Sequence, residues 1–197
     1  MVSSWNEKKL ANDALAKGDD HMVRGKLVFI TGGVRSGKSS FAEHYLMNEQ
    51  AKRNVYVASG VAVDGEMKER IAKHQSDREN YTVEWVTIEQ PRNFEQLIPQ
   101  IQDGDGILWD CVTTWLANEL YDNDMKKVQR VLFEAIDCLI HKAKVIVIVS
   151  NEVLDEPLSK YESVVLYQKW IGQIHQQLVA KADLAFEMEY GISHQWK

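Results

Sequence analysis

The chain has 197 residues, a length that suits one α/β domain with a full hydrophobic core. Hydrophobic residues make up 45% and charged residues 26%, which excludes a disordered chain on composition. The formal net charge of -6 argues against a nucleic-acid partner, because proteins that neutralise many phosphates carry a basic surface. We therefore expect one domain over residues 25–197, for which small anionic ligands remain possible because they need only a local positive site.

The cysteines and apolar runs indicate the compartment. Cys111 and Cys138 have neither metal-ligand spacing nor the density of a disulfide scaffold, which favours a reducing compartment. The apolar runs are too short to span a bilayer, and the N-terminus carries charges where a signal peptide needs an apolar stretch. We expect a cytoplasmic protein without a membrane span.

Residues 1–24 are predicted to be an N-terminal extension. Apolar residues from Leu10 to Leu15 have the spacing of a short amphipathic helix that ends near Gly18. The alternative is a frayed segment without fixed structure, which is common at chain ends.

Short apolar runs alternate with segments of helical period from Lys26 onward. This alternation predicts a three-layer α/β sandwich, with helices on both faces of a mostly parallel sheet. The predicted strands are Leu27–Thr31, Val55–Ala58, Val83–Val86, Ile107–Asp110 and Val145–Val149.

Three segments have a more specific expectation. Val145–Val149 is apolar at every position, so it should lie in the middle of the sheet. Leu184–Tyr190 alternates apolar and polar residues, which favours a strand near an edge. Pro91 suits the first turn of a helix reaching about Gln102, and Gly104 suits the turn before the next strand.

Residues 32–39 match the phosphate-binding motif G-x-x-x-x-G-K-[ST] between an apolar strand and a helical segment. This context predicts a P-loop NTPase-like fold, and we name the segment the phosphate loop. Lys38 is the expected catalytic contact with the β and γ phosphates, and the Ser39 hydroxyl is an expected Mg²⁺ ligand. The alternative is a glycine-rich turn between strand and helix that binds nothing. It does not explain the Gly-Lys-Ser ending, which has no purely structural role here. The predicted nucleotide-binding residues here are Gly32, Gly33, Val34, Arg35, Ser36, Gly37, Lys38 and Ser39.

A second Mg²⁺ ligand is predicted at the end of a buried strand. Ile107–Asp110 is an apolar run that ends in a carboxylate, which is typical of the Walker B element. Asp110 is therefore the expected metal ligand. The alternative is a carboxylate that only caps a helix or forms a turn.

One predicted helix, residues 64–78, carries a histidine between basic side chains. Arg70, His74, Asp77 and Arg78 have spacings of three and four, which place them on one helical face. Neighbouring positive charge favours a neutral, nucleophilic imidazole, so His74 could attack phosphorus. The alternative is a solvated surface histidine.

Several motifs together resemble the bifunctional adenosylcobinamide kinase/adenosylcobinamide-phosphate guanylyltransferase family of cobalamin biosynthesis. The resemblance extends from about Lys26 to Ile192 and is far more specific than the phosphate loop alone. The segments that carry it are Gly32–Ser39, Glu66–Arg78, Trp85 with Thr87 and Glu89, Asp110–Asn118, and Ser150–Val153.

The resemblance implies two reactions and their site residues. A hydroxyl on the aminopropanol arm of adenosylcobinamide is phosphorylated, and GMP is then transferred from GTP to that phosphate through a guanylylated histidine, here His74. ATP and GTP are the implied nucleotide substrates, Mg²⁺ the cofactor and a homotrimer the assembly. The predicted nucleotide-binding set is completed by Ala58, Ser59, Gly60, Arg70, Arg78 and Glu89.

The chain departs from the family pattern beyond Val153. The family continues with a glycine-containing stretch that ends Gly-Ile-Val-Pro, whereas this chain reads Leu-Asp-Glu-Pro at residues 154–157. A later pattern, an acidic residue before a glycine and then Asn-Gln, appears here as Lys169, Gly172, His175 and Gln176. We expect weaker corrinoid steps, unless the divergent segment is a surface loop without ligand contact.

Two other functions remain open from the residues. One is a phosphate-loop kinase of another small metabolite, in which His74 has no covalent role. The other is a catalytically impaired homologue that binds GTP without releasing pyrophosphate. A protein–GMP adduct would separate the guanylyltransferase from both.

Overall fold

The computed structural model describes most of the predicted domain. The described residues are 24–60, 84–120, 124–153 and 160–197. The predicted N-terminal helix, the His74 segment and the divergent residues 154–157 lie outside them.

Strands mostly alternate with helices in the described chain, as the apolar pattern predicts. The strands are β1 (Lys26–Gly32), β2 (Asn54–Ala58), β3 (Trp85–Glu89), β4 (Gly106–Asp110), β5 (Val145–Val149), β6 (Leu184–Glu189) and β7 (Ile192–Gln195). The helices are α1 (Lys38–Asn48), a 3₁₀ helix (Phe94–Gln100), α2 (Val112–Glu119), α3 (Met125–Ile140) and α4 (Glu162–Lys181).

The strands form one sheet in the order β3-β2-β4-β5-β1-β6-β7. All neighbouring pairs are parallel except β6 with β7. β5 is the central strand and all its residues are buried. The predicted mostly parallel sheet and the central position of Val145–Val149 are therefore confirmed.

Apolar side chains cover both faces of the sheet. Successive side chains of a strand point to opposite faces, so Leu27 and Phe29 of β1 join a core with α3 and α4. Val28 and Ile30 join a second core with Ala42 of α1. These two cores make the predicted three-layer sandwich. In the described part of the chain, every helix is too short or too polar to cross a membrane.

The edges of the sheet differ in detail from the prediction. β3 runs from Trp85 to Glu89, further along the chain than the predicted Val83–Val86. Leu184–Tyr190 does lie near an edge, but β7 pairs with β6 and forms the edge itself. All four residues of Ile192–Gln195 are exposed, so β7 has no buried face to produce an apolar pattern.

The predicted helix from Pro91 to Gln102 is wrong. The segment instead forms a 3₁₀ helix, and Asn93 in front of it has a left-handed φ of 51° that breaks any earlier helical turn. Pro99 lies inside the segment and has no N–H to donate to a carbonyl of the preceding turn, which disfavours an α-helix.

The turn before β4 is confirmed at Gly104, which has a φ of 88°. Next to it, Arg53 Nη2 forms an ion pair with Asp105 Oδ2 at 2.6 Å. Asp105 Oδ2 also accepts a hydrogen bond from the backbone N–H of Gln102 at 2.8 Å. These bonds fix the start of β4, the strand that ends in Asp110.

Candidate nucleotide site

The phosphate loop connects β1 to α1 at the carboxyl edge of the sheet. Gly32 begins it with a φ of 154°. A Cβ at Gly32 would lie 2.5 Å from the carbonyl oxygen of Met188 on β6, so only glycine fits between the two strands. Glycine at this position therefore lets the loop begin directly beside β6.

Lys38 is the first residue of α1, and its side chain folds back over the loop. Its Nζ donates a hydrogen bond to the carbonyl oxygen of Gly33 at 2.9 Å, and the residue is only 4% exposed. The positive charge is therefore held at the loop by a protein contact. A phosphate anion at the N-terminus of α1 would also meet the positive end of that helix.

The described residues leave the space in front of the loop open. Gly33, Val34, Arg35 and Gly37 are exposed. A Cβ at Gly33 would meet no atom of the described residues within 4 Å. The loop therefore presents its backbone to solvent on the side where the motif is expected to bind phosphates.

Ser39 and Asp110 meet beside the loop, as both Mg²⁺ predictions require. The Ser39 Oγ donates a hydrogen bond to Asp110 Oδ2 at 3.2 Å. The Tyr56 hydroxyl donates to the same carboxylate oxygen at 3.1 Å and so fixes its position. A hydroxyl and a carboxylate are hard oxygen donors of the kind that bind Mg²⁺ together with substrate phosphates. The pair thus fits the predicted metal, although binding itself stays a prediction.

Three predicted residues form one row across neighbouring strands. Ala58 on β2 pairs in register with Asp110 on β4 and with Glu89 on β3. Ala58 is buried and Glu89 is exposed at the edge of the sheet. Glu89 therefore lies on the same edge as Asp110, two strands away, at about 10 Å on ordinary strand spacing.

Ser59 has a structural role in the turn after β2. Its hydroxyl accepts a hydrogen bond from Trp109 Nε1 at 2.7 Å, and its N–H donates to the carbonyl oxygen of Asp110 at 3.0 Å. Asn118 Nδ2 donates to its carbonyl oxygen at 3.1 Å. Ser59 is fully buried. Its hydroxyl is therefore already engaged, whereas the neighbouring Gly60 is half-buried.

A neutral polar cluster beside Asp110 had no predicted role. Asn151, which follows β5, donates from Nδ2 to Thr113 Oγ1 at 2.8 Å, and Cys111 Sγ lies 3.1 Å from that same oxygen. Burial raises the pKa of the Cys111 thiol, which keeps it protonated. The sequence could have indicated this cluster, because its residues follow the ends of two neighbouring central strands, β4 and β5.

His175, at the second divergence from the family pattern, is a buried residue of α4. Its Nε2 lies 2.7 Å from Ser150 Oγ, and its ring packs 5.3 Å from the ring of Phe29. Burial lowers the pKa of His175 to about 4. The imidazole is therefore a neutral part of the core in the folded protein. Lys169 and Gln176 of the same helix are exposed.

The buried histidine predicts a loss of stability in acid. A histidine in the unfolded chain has a pKa of 6.5. Between pH 6.5 and 4 the unfolded chain therefore binds a proton at residue 175, whereas the folded protein does not. The free energy of unfolding should fall by about 3 kcal/mol as the pH decreases from 6.5 to 4. Below pH 4 both states bind the proton, so this group should cause no further change. Urea unfolding of wild type and His175→Asn at several pH values would measure it. A constant difference between the two proteins would contradict the prediction.

The three predicted side chains of the basic segment, Arg70, His74 and Arg78, lie outside the described residues. Their place relative to the phosphate loop stays a prediction.

Comparison with solved structures shows the fold. The chain is similar to the flagellar accessory protein FlaH of Methanocaldococcus jannaschii, with a TM-score of 0.51 and 13% identity over 88% of this chain and 79% of the other. It is also similar to the assembled ATPase EscN from the type III secretion system of enteropathogenic E. coli, with a TM-score of 0.51 and 13% identity over 84% and 43% of the two chains. The expected P-loop NTPase-like fold is thus confirmed.

Comparison of sequences identifies the family. The family model described as "Cobinamide kinase / cobinamide phosphate guanyltransferase" matches residues 28–196. The bifunctional adenosylcobalamin biosynthesis protein CobP of Pseudomonas aeruginosa is 32% identical over 155 residues, which cover 78% of this chain and 87% of the relative. The protein CobU of Escherichia coli K12, with the same description, is 28% identical over 180 residues, covering 84% and 97%. The chain therefore belongs to the cobinamide kinase/cobinamide phosphate guanyltransferase family, as its motifs indicate.

Proposed function

We propose that this protein phosphorylates adenosylcobinamide and transfers GMP from GTP to the resulting phosphate in cobalamin biosynthesis. The observation that carries the proposal is the contact of Ser39 with Asp110 beside an open phosphate loop. It occurs in a chain whose family match covers almost its whole length. Both reactions need a bound nucleoside triphosphate, and this site has the groups to hold one.

The kinase step would take place in front of the phosphate loop. The oxygen of the aminopropanol hydroxyl attacks the γ-phosphorus and its proton is lost to solvent. The bond from that phosphorus to the β–γ bridging oxygen breaks, and the nucleoside diphosphate leaves. Lys38 and the N-terminus of α1 stabilise the negative charge on the phosphates. Ser39 and Asp110 would hold Mg²⁺, which supplies further charge neutralisation when bound.

The guanylyl transfer would use His74 as nucleophile. Its imidazole nitrogen attacks the α-phosphorus of GTP, a P–N bond forms, and pyrophosphate leaves. An oxygen of adenosylcobinamide phosphate then attacks the same phosphorus and breaks the P–N bond, which regenerates the histidine. Arg70, Arg78 and Glu89 are the proposed positioning residues. Such a division into two transfers is ordinary nucleophilic catalysis.

The assembly implied by the family resemblance is a homotrimer. The beginning of α4 supports contact with a second copy, because it exposes several apolar side chains in the isolated chain. They are Tyr161, Val164, Val165 and Leu166. A mass in solution equal to one 22.6 kDa chain would contradict this part of the proposal.

One assay tests the function as a whole. The protein is incubated with adenosylcobinamide, Mg²⁺ and either ATP or GTP, and the corrinoid product is identified by mass spectrometry. Addition of a phosphoryl group, followed with GTP by addition of a guanylyl group, is the expected result. Nucleotide binding without any corrinoid product would contradict it and favour an impaired homologue.

The divergence after Val153 should weaken the corrinoid steps. Side chains and negative charge at residues 154–156 replace a stretch whose glycine allows close backbone approach. We expect kcat/KM for both corrinoid substrates to be about tenfold below that of a relative with the full Gly-Ile-Val-Pro stretch, a difference of about 1.4 kcal/mol. GTP binding and guanylylation of His74 should persist. Equal kcat/KM values in steady-state kinetics would show that the divergent segment does not contact the corrinoid.

A further inference from the structure

The turn that joins β6 to β7 lies against the phosphate loop. The backbone N–H of Gly191 in this turn donates a hydrogen bond to the carbonyl oxygen of Ser36 at 3.0 Å. A Cβ at Gly37 would lie 3.4 Å from Gly191 Cα. The turn therefore contacts the loop on the side of β6, opposite to the side where Asp110 lies.

Tyr190 in this turn presents a large aromatic side chain to solvent. It is 96% exposed, more than any other large hydrophobic residue in the described part of the chain. Its φ of 49° is in the left-handed region, where a bulky residue is uncommon. A residue such as asparagine fits that conformation better. Neither packing against the described residues nor backbone geometry thus accounts for tyrosine here.

The sheet order sets the direction in which a bound nucleotide would run. The metal pair, Ser39 with Asp110 of β4, marks the end of the site where the β and γ phosphates lie. From β4 the sheet continues through β5 and β1 to β6. A phosphate chain that starts at Asp110 and crosses the loop therefore leads toward β6. The distance between β4 and β6 is about 14 Å on ordinary strand spacing.

We propose that Tyr190 is the stacking surface for the purine base of the nucleotide whose phosphates bind to the phosphate loop. The inference rests on the proposed nucleotide binding and adds the place of the base. An aromatic ring stacks on the face of a base and does not read its hydrogen-bonding edge. The site should therefore accept both adenine and guanine, as the proposed use of ATP and GTP requires.

The test compares ligands with and without a base. Dissociation constants for ATP, GTP and inorganic tripolyphosphate are measured by titration calorimetry for wild type, Tyr190→Asn and Tyr190→Phe. Tyr190→Asn keeps the left-handed turn and should weaken ATP and GTP about tenfold, within the range found when stacking residues are replaced. Tyr190→Phe should stay within about twofold, because it keeps the ring. Tripolyphosphate should bind all three proteins equally.

Ile192→Ala is the matched control, because Ile192 is 62% exposed and belongs to the same hairpin. It should leave every dissociation constant unchanged. Wild-type ATP affinity in Tyr190→Asn would overturn the proposal. An equal loss of affinity for tripolyphosphate would also overturn it, because the turn would then only support the phosphate loop. If the wild-type protein binds ATP and GTP no more tightly than tripolyphosphate, the base contributes nothing to binding and has no site at Tyr190. If wild type binds neither, the proposed nucleotide function fails as well.

Discussion

Replacement of Lys38 by alanine is expected to lower kcat/KM for the phosphorylation of adenosylcobinamide by at least about 100-fold, the usual effect of removing one group that stabilises transition-state charge. The Lys38 ammonium is held at the phosphate loop by the Gly33 carbonyl oxygen, so its removal takes away a charge that is fixed in position. Alanine has high helix propensity, so α1 should still form. Initial rates with ATP and with GTP would measure the loss.

Lys127→Ala is the control for this experiment. Lys127 is an exposed residue of α3, so its replacement removes the same charge from the protein surface without affecting the loop. It should keep wild-type kinetics. Thermal unfolding of both variants would check that the fold survives. Unchanged turnover in a folded Lys38→Ala protein would mean that the phosphate loop is not the kinase site.

Replacement of His74 by alanine is expected to abolish the covalent protein–GMP adduct. A phosphoramidate forms only on a nucleophilic nitrogen, and alanine has none. Incubation with α-labelled GTP followed by denaturing electrophoresis measures the adduct, which should be stable in alkali and labile in acid. The proposed kinase step does not use the imidazole, so we expect phosphorylation of adenosylcobinamide to continue.

His141→Ala provides the comparison, because His141 is an exposed histidine at the end of α3. It should retain the wild-type amount of label. Label at the wild-type level on His74→Ala would show that another residue is the nucleophile. Loss of both label and kinase activity would instead indicate that residue 74 helps to bind the nucleotide.

The core of the fold could be predicted because its signal is local. β5 is apolar at every position, and the phosphate-loop motif is contiguous, so neither depends on distant residues to be recognised. Asp110 was recognisable for the same reason, since it ends an apolar run. By contrast, β7 is exposed throughout, and its strand conformation depends on pairing with β6.

Contacts between distant segments could not be predicted in this way. The hydrogen bond from Asn151 to Thr113 and the contact of Gly191 with Ser36 join residues far apart in the chain. No periodic pattern encodes such pairs, because they depend on which strands become neighbours in the sheet. The left-handed conformation of Asn93 likewise interrupts the first turn of the predicted helix, and the surrounding propensities do not reveal it.

The position of β1 in the sheet has a consequence for synthesis on the ribosome. Lys26 pairs with Val145 and Val28 pairs with Leu184, and these partners lie about 120 and about 160 residues further along the chain. A growing chain that ends before β6 therefore leaves one edge of β1 without its partner. The loop after β1 also lacks its contact with Gly191 until that residue has been added. We therefore expect the proposed nucleotide binding to stabilise the chain most once β6 and the turn at Gly191 are in place.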